Sequence, residues 1–305
     1  VLIMDVLGNT IHAGNRSSTI LGNTSHTLGI DVADNNTNLT SAVKRINDNI
    51  IYLHEYGRIG LHLTTGRDYE ISGNYVSMKN ASRLTGGLVN MRGVQIENSE
   101  YNTISCNNIV GESDLTIYQD NDAAMQIADC NENLISQNSM FWSSNGLRFI
   151  GDCVSNGGNA TQNIQKNTFG PNFYGLHYSV NSAVEQQDFS GNQWRILPVS
   201  GQMNAVNEIT DPLVFGLSKY NVTGANFTLP IGVTPFWFYP NVGTDLTINP
   251  ADCGLPPSGS PNDGIAKLLD MIGDTLNTSD FYKKLVWQYQ IQLFAYLQKY
   301  PDLVS

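Results

Sequence analysis

Asp129, Arg148, Asp152 and His177 are the residues of this 305-residue chain whose types and spacing come nearest to a catalytic set. Two carboxylates about 5 to 9.5 Å apart across a glycosidic bond can share acid, base or nucleophile duty. Asp129 with Asp152, or either with Glu97, would reach that separation from neighbouring turns of a repeat. A calcium-assisted elimination would instead want several acidic oxygens converging beside an Arg or Lys base. Arg148 lies conveniently near both aspartates, and His177 follows one repeat later. The competing reading makes Asp129 and Asp152 solvated turn residues before Cys130 and Cys153, with Arg148 paired to one of them.

A second group of residues suits binding rather than bond breaking. The short pattern small-Ω-x-Ω, with Ω apolar, occurs six times, beginning at Gly29, Gly60, Gly93, Ala124, Gly146 and Gly175. Its polar position x is held in turn by Asp31, His62, Gln95, Gln126, Arg148 and His177, and Glu97 lies two residues beyond Gln95. If the copies stack, His62, Gln95, Glu97, Gln126, Arg148 and His177 form a polar outer strip with one side chain about every 4.8 Å. Such a row suits an extended sugar chain, whose hydroxyls both donate to and accept from amides.

The elements that must position these residues are short strands, two expected in each cycle. The offsets between copies are 31, 33, 31, 22 and 29 residues. A second pattern, I-x-x-N-x-Ω, follows each copy: Ile46 to Ile51, Ile71 to Val76, Ile104 to Ile109, Ile135 to Met140, Ile164 to Phe169 and Phe189 to Trp194. Period-two apolarity marks strands, and Asn or Gly at the corners marks turns. One such unit cannot bury its apolar side alone, so the copies must stack in parallel around a shared interior. Helical repeats of similar length would need apolar spacing near 3.6 and few glycines. In the stack Asn49, Asn74, Asn107, Asn138, Asn167 and Asn192 form a structural ladder of buried amides at one corner.

The G-[IVL]-x-[ILF] strand followed by I-x-x-N-x-[IVF] resembles the repeats of pectin-lyase-like proteins. The nearest resemblance is to the carbohydrate-binding and sugar-hydrolase β-helix family, which includes a periplasmic copper-loading protein and alginate epimerases. The resemblance covers roughly residues 15 to 200 and implies an all-β, right-handed parallel β-helix. The paired aspartates and Gly-His of the polygalacturonases, and the Asp-Pro-His-Asp of the epimerases, are missing from this sequence. Its five His and seven Met are scattered, without the clusters a copper site needs.

The expected organisation is a partial first turn over 1–28, β-helix repeats over 29–200 and an irregular last rung or cap over 201–250. A Pro-, Gly- and Ser-rich linker over 251–264 and an α-helical tail over 265–305 complete it. Cys130 and Cys153 follow the repeated strand at nearly matching places and are expected to form a disulfide, since adjacent rungs stand at about bridging distance. Cys106 and Cys253 could pair only if the region after the linker folds back. With 16 Lys and Arg against 27 Asp and Glu, the chain has no polybasic patch for nucleic acid or an anionic membrane. It has no apolar run of about 18 residues for a membrane span. No cofactor is indicated, and calcium would enter only through a lyase site. The sequence is read as a secreted or cell-surface module of a larger bacterial polypeptide, serving as an adhesive stalk or glycan-binding face, with glycans, flanking domains or a protein at the helical tail as partners. The alternative is a lyase, epimerase or hydrolase of acidic polysaccharide.

Overall fold

Each turn of the chain spends its apolar side chains in the same way, and the strands fall into register because of it. The computed structural model describes residues 3–13, 27–34, 43–53, 57–78, 91–111, 122–153, 163–170, 172–180, 182, 184, 186–188, 190–194, 203–223, 233–234, 238–241, 246 and 253. The first rung is β1 (Ile3–Leu7), β2 (Thr10–Ala13) and β3 (Thr27–Ala33), and the second is β4 (Val43–Asn47), β5 (Ile50–Leu53) and β6 (Gly57–Thr64). The third comprises β7 (Tyr69–Ser72), β8 (Tyr75–Ser77) and β9 (Arg92–Glu97), the fourth β10 (Thr103–Ser105), β11 (Asn108–Val110) and β12 (Ala123–Ala128). The fifth is β13 (Leu134–Ser136), β14 (Ser139–Phe141) and β15 (Asn145–Ile150), the sixth β16 (Asn163–Gln165), β17 (Thr168–Phe169) and β18 (Tyr174–Tyr178). The seventh has β19 (Gln187–Asp188), β20 (Gln193–Trp194) and β21 (Met203–Asn207). A short helix α1 (Pro212–Leu217) and strands β22 (Tyr220–Thr223), β23 (Val233–Thr234) and β24 (Phe238–Asn241) follow.

Strands three apart in the chain pair in parallel, and β23 adds to β21, giving sheets β1-β4-β7-β10-β13-β16, β2-β5-β8-β11-β14-β17-β20 and β3-β6-β9-β12-β15-β18-β21-β23. The architecture is therefore an all-β solenoid of stacked parallel strands, consistent with a parallel β-helix. The first sheet stops at β16, and β19 pairs instead with β22, which pairs with β24. Residues 3–13, expected to belong to an incomplete first turn, supply two strands in register with β4 and β5. The expected helical tail at 265–305 lies outside the described residues. Of the expected linker only Cys253 is described.

Inside, like stacks on like. Ile46, Ile71, Ile104, Ile135 and Ile164 form one fully buried column, and Ile51, Val76, Ile109, Met140 and Phe169 form another. Leu63, Ile96, Ile127, Phe149 and Tyr178 form a third. Toward the last rungs the filling becomes aromatic, with Phe149 edge-on to Tyr178 at 5.4 Å and Tyr220 stacked on Phe238 at 4.9 Å. Burying a side chain of this size stabilises by roughly 1.5–3 kcal/mol, so the columns supply the main cohesive term between rungs.

The six ladder asparagines sit at the corner between the first two sheets. Each Oδ1 accepts the backbone N–H and the Nδ2 of the asparagine one rung earlier, as in Asn74 to Asn107 at 3.0 and 2.8 Å and Asn107 to Asn138 at 3.0 and 2.9 Å. The Nδ2 of Asn107 also donates to Ile71 O at 2.9 Å. Asn9 extends the row by donating its backbone N–H and Nδ2 to Asn49 Oδ1. The preceding corner residue has left-handed backbone in every rung: Gly8, Asp48, Gly73, Cys106, Gln137, Lys166 and Gly191. A second, shorter ladder joins Asn102 to Asn133.

The disulfide differs from expectation. It links Cys106 to Cys253, 147 residues apart, while Cys130 and Cys153 are unbridged and buried. Cys130 Sγ accepts the N–H of Ser99 at 3.4 Å, and Ser99 Oγ accepts the N–H of Gly66 at 2.9 Å. The cysteines thus belong to a column of small acceptors in which each holds the backbone of the preceding rung. Cys130 Sγ lies 3.0 Å from Ala128 O and Cys153 Sγ 3.6 Å from Ile150 O, so each thiol is engaged with the backbone of its own turn rather than with the other sulfur.

Candidate ligand-binding face

The third sheet aligns the polar positions without a slip. Its register pairs Asp31 with His62, His62 with Gln95, Gln95 with Gln126, Gln126 with Arg148 and Arg148 with His177. Glu97 stands between Thr64 and Ala128 in the row two residues further along.

The small residue that opens each strand explains which other side chains join this face. A Cβ added at Gly29, Gly60 or Gly93 would lie 2.9 Å from Ile51 Cγ2, 2.6 Å from Val76 Cγ1 or 2.3 Å from Ile109 Cγ2, all core atoms. The small residue and the apolar residue after it therefore both face inward, and strict alternation is broken between them. The residue before the small one is turned to the outer row. Arg92 there donates its Nε to Gln126 Oε1 at 2.5 Å, and Asn145 Oδ1 meets His177 Nδ1 at 2.7 Å. Tyr174 presents its ring to His177 at 5.2 Å between centroids. Strict period two would turn Arg92, Asn145 and Tyr174 inward, and sequence reasoning did not single them out; the signal was the position before each small residue.

The face divides into three polar groups. At the first rungs His62 Nδ1 meets Asp31 Oδ1 at 3.0 Å, and Nε2 faces Thr64 Oγ1 at 2.9 Å and Glu97 Oε2 at 3.3 Å. Gln95 Nε2 donates to the other oxygen of Glu97. In the middle, Arg92 also donates Nη1 to Met91 O at 2.8 Å, and Arg148 Nε donates to Ser179 Oγ at 3.2 Å. Burial pushes the Arg92 guanidinium down to about 10; the charge of Arg148 acts in the same direction, and Asp122 and Glu97 oppose it. At the last rungs His177, buried, is held between Asn145 and Glu208, whose Oε2 lies 3.0 Å from Nε2.

The four residues of the catalytic alternative do not converge in the same way. Arg148 and His177 are neighbours in the outer row. Asp129 lies past the end of β12 in a left-handed turn, φ 50°, where its Oδ1 accepts the backbone N–H of Asp152 at 3.0 Å. That bond gives Asp129 a turn-holding role, and both aspartates are exposed. Among the described residues no group of three or more His, Cys, Asp or Glu is placed to hold a metal ion. No protein-family model, curated protein or solved structure matches the chain.

Proposed function

We propose that this chain is a β-helix module, of the pectin-lyase-like kind and right-handed, whose third sheet binds an extended glycan in a secreted or cell-surface setting. One observation carries the reading: an unbroken, in-register row of hydrogen-bonding side chains from Asp31 to His177 across six rungs. At about 4.8 Å per rung the row offers repeated donors and acceptors to a repeating ligand, and Tyr174 offers a ring edge at one end. The Cys106–Cys253 disulfide favours an oxidising compartment. The hydrolase or lyase reading draws less support, because Asp129 is engaged in its own turn.

A glycan array probed with the purified chain tests the proposal. Binding to at least one extended glycan is expected, weakened several-fold in Gln95→Ala. An array without a single bound glycan would reduce the module to a stalk.

A further inference from the structure

The second sheet has an outer face unlike those of the other two. Ile51, Val76, Ile109 and Met140 point into the shared core, so strand alternation turns the residues on either side of them outward. One outward row runs Ile50, Tyr75, Asn108 and Ser139, and the next runs Tyr52, Ser77, Val110 and Phe141. Ile50, Tyr75, Val110 and Phe141 are each no more than 6% exposed, although they stand apart from the core cluster. Ser77 and Asn108 beside them are buried as deeply. On the first sheet, by contrast, the outward residues Arg45, Glu70, Thr103 and Ser105 are polar and at least partly exposed.

Apolar side chains on the outside of a sheet reach such burial only beneath a covering layer. The described strands join edge to edge in the sheets, and β22 and β24 extend the stack beyond the seventh rung, away from rungs two to five. Tyr52, Tyr75, Asn108 and Phe141 each interact with further groups. The cover therefore belongs to another part of the chain.

The return path after β24 points to which part. Leu246 O lies against Gly191 at the corner of the seventh rung. Cys253 is bonded to Cys106 and stands 3.7 Å from Gln137 O, at the same corner of the fourth and fifth rungs. Cys106 is two residues before β11, so the residues after Cys253 set out from the border of the second sheet. Further on, Trp287, Ile291, Phe294 and Leu297 follow one another at intervals of four, three and three residues, the spacing of one apolar side of a helix. As a helix, the stretch from Ser279 to Tyr300 would be about 33 Å long, and the seven strands of the second sheet span about 29 Å.

We propose that residues 279–300 cross the outside of the second sheet as a helix, with their apolar side against Tyr75, Val110 and Phe141. The tail is then a strap that ties rungs two to five together from without, and the Cys106–Cys253 bond fixes where it begins.

The test is photo-crosslinking in the full chain, with p-benzoylphenylalanine in place of Tyr52 or Ser139, which are half-buried in the two outward rows, and in place of the exposed Glu70 on the first sheet as a control. Peptide mapping should find positions 52 and 139 joined to residues 279–300 of the same molecule, and position 70 joined to none of them. Joining to 79–90 or 112–121 instead, joining between two molecules, joining from position 70 as readily, or no joining at all would overturn the proposal. A second variant leaves the stack itself unaltered. Trp287→Ser with Phe294→Ser should raise the fluorescence of a dye for apolar surface several-fold as the sheet is uncovered. Unchanged or lowered fluorescence would sink the strap.

Discussion

At the scale of single residues, the stack turns ordinary side chains into backbone partners. Cys130 and Cys153 show this most plainly, since burial pushes the Cys153 thiol up to about 12 and the Cys130 thiol higher still. Thiolate is the reactive species, so neither cysteine should react with a thiol reagent at pH 8 until the chain is unfolded; rapid labelling of the native protein would contradict the buried column. Cys130→Ser should be tolerated, because Ser99 already fills the equivalent place one rung earlier. The ladder is less forgiving. Asn107→Leu would leave the N–H of Asn74 and the carbonyl of Ile71 without their side-chain partner. Orphaning two buried groups costs about 3 kcal/mol or more, which urea unfolding would register.

At the scale of the element, the strand of the third sheet depends on a residue almost without a side chain. The Cβ of Gly60→Val would stand 2.6 Å from the carbonyl oxygen of Gly93 and 2.6 Å from Val76 Cγ1. Neither atom can retreat, since one belongs to the next strand and the other to the core. We expect a loss of about 2–4 kcal/mol, in the range of other overpacking or strain effects, and disturbance of the outer row nearby. Thermal unfolding checks the first, and the affinity of the variant for any array-positive glycan checks the second. The same inward turn of Gly93 places Arg92 on the outer face, where its Nε reaches Gln126.

At the scale of the whole molecule, a solenoid is held chiefly by contacts between neighbouring rungs. Among the described residues the Cys106–Cys253 bond is an exception, tying the β10–β11 corner of the fourth rung to a residue beyond β24. Leu246 O lies where a Cβ of Gly191 would be, 1.9 Å away, and Cys253 lies 3.7 Å from Gln137 O. The chain after β24 thus touches the corner at Gly191 and again, further back along the stack, at Gln137 and Cys106. Closing a loop of this length stabilises by up to about 5 kcal/mol in the chain-entropy account. Reductant should therefore lower the melting temperature of the unaltered protein. The Cys106→Ser, Cys253→Ser double variant should melt near the reduced value and ignore reductant. A melt indifferent to reductant in the unaltered protein would count against the tether.

Periodicity alone determined the stack, the apolar positions inside it and the in-register order of Asp31, His62, Gln95, Gln126, Arg148 and His177, because a two-residue alternation repeated at near-constant offset leaves few ways to hide the same side chains; it led to two strands per cycle where the structure has three, since the Asn corner divides I-x-x-N-x-Ω between two sheets. It also placed Asn49 through Asn192 at one corner, where each short amide bonds the backbone of the rung before it. The stretch Val6-Leu-Gly-Asn-Thr-Ile11 approximates the same corner pattern with Val in place of the usual Ile, and the stack makes its Asn9 the first member of the ladder. What only the tertiary structure decided was everything that depends on direction rather than spacing. The return of the chain after β24 brought Cys253 onto the corner at Cys106, which set the disulfide there instead of between Cys130 and Cys153. The inward turn at each small residue brought Arg92, Asn145 and Tyr174 outward. A repeat read along the chain fixes which residues recur, while the angle at which each Cβ leaves the backbone is set by the neighbouring rungs, and those exist only once the chain has stacked.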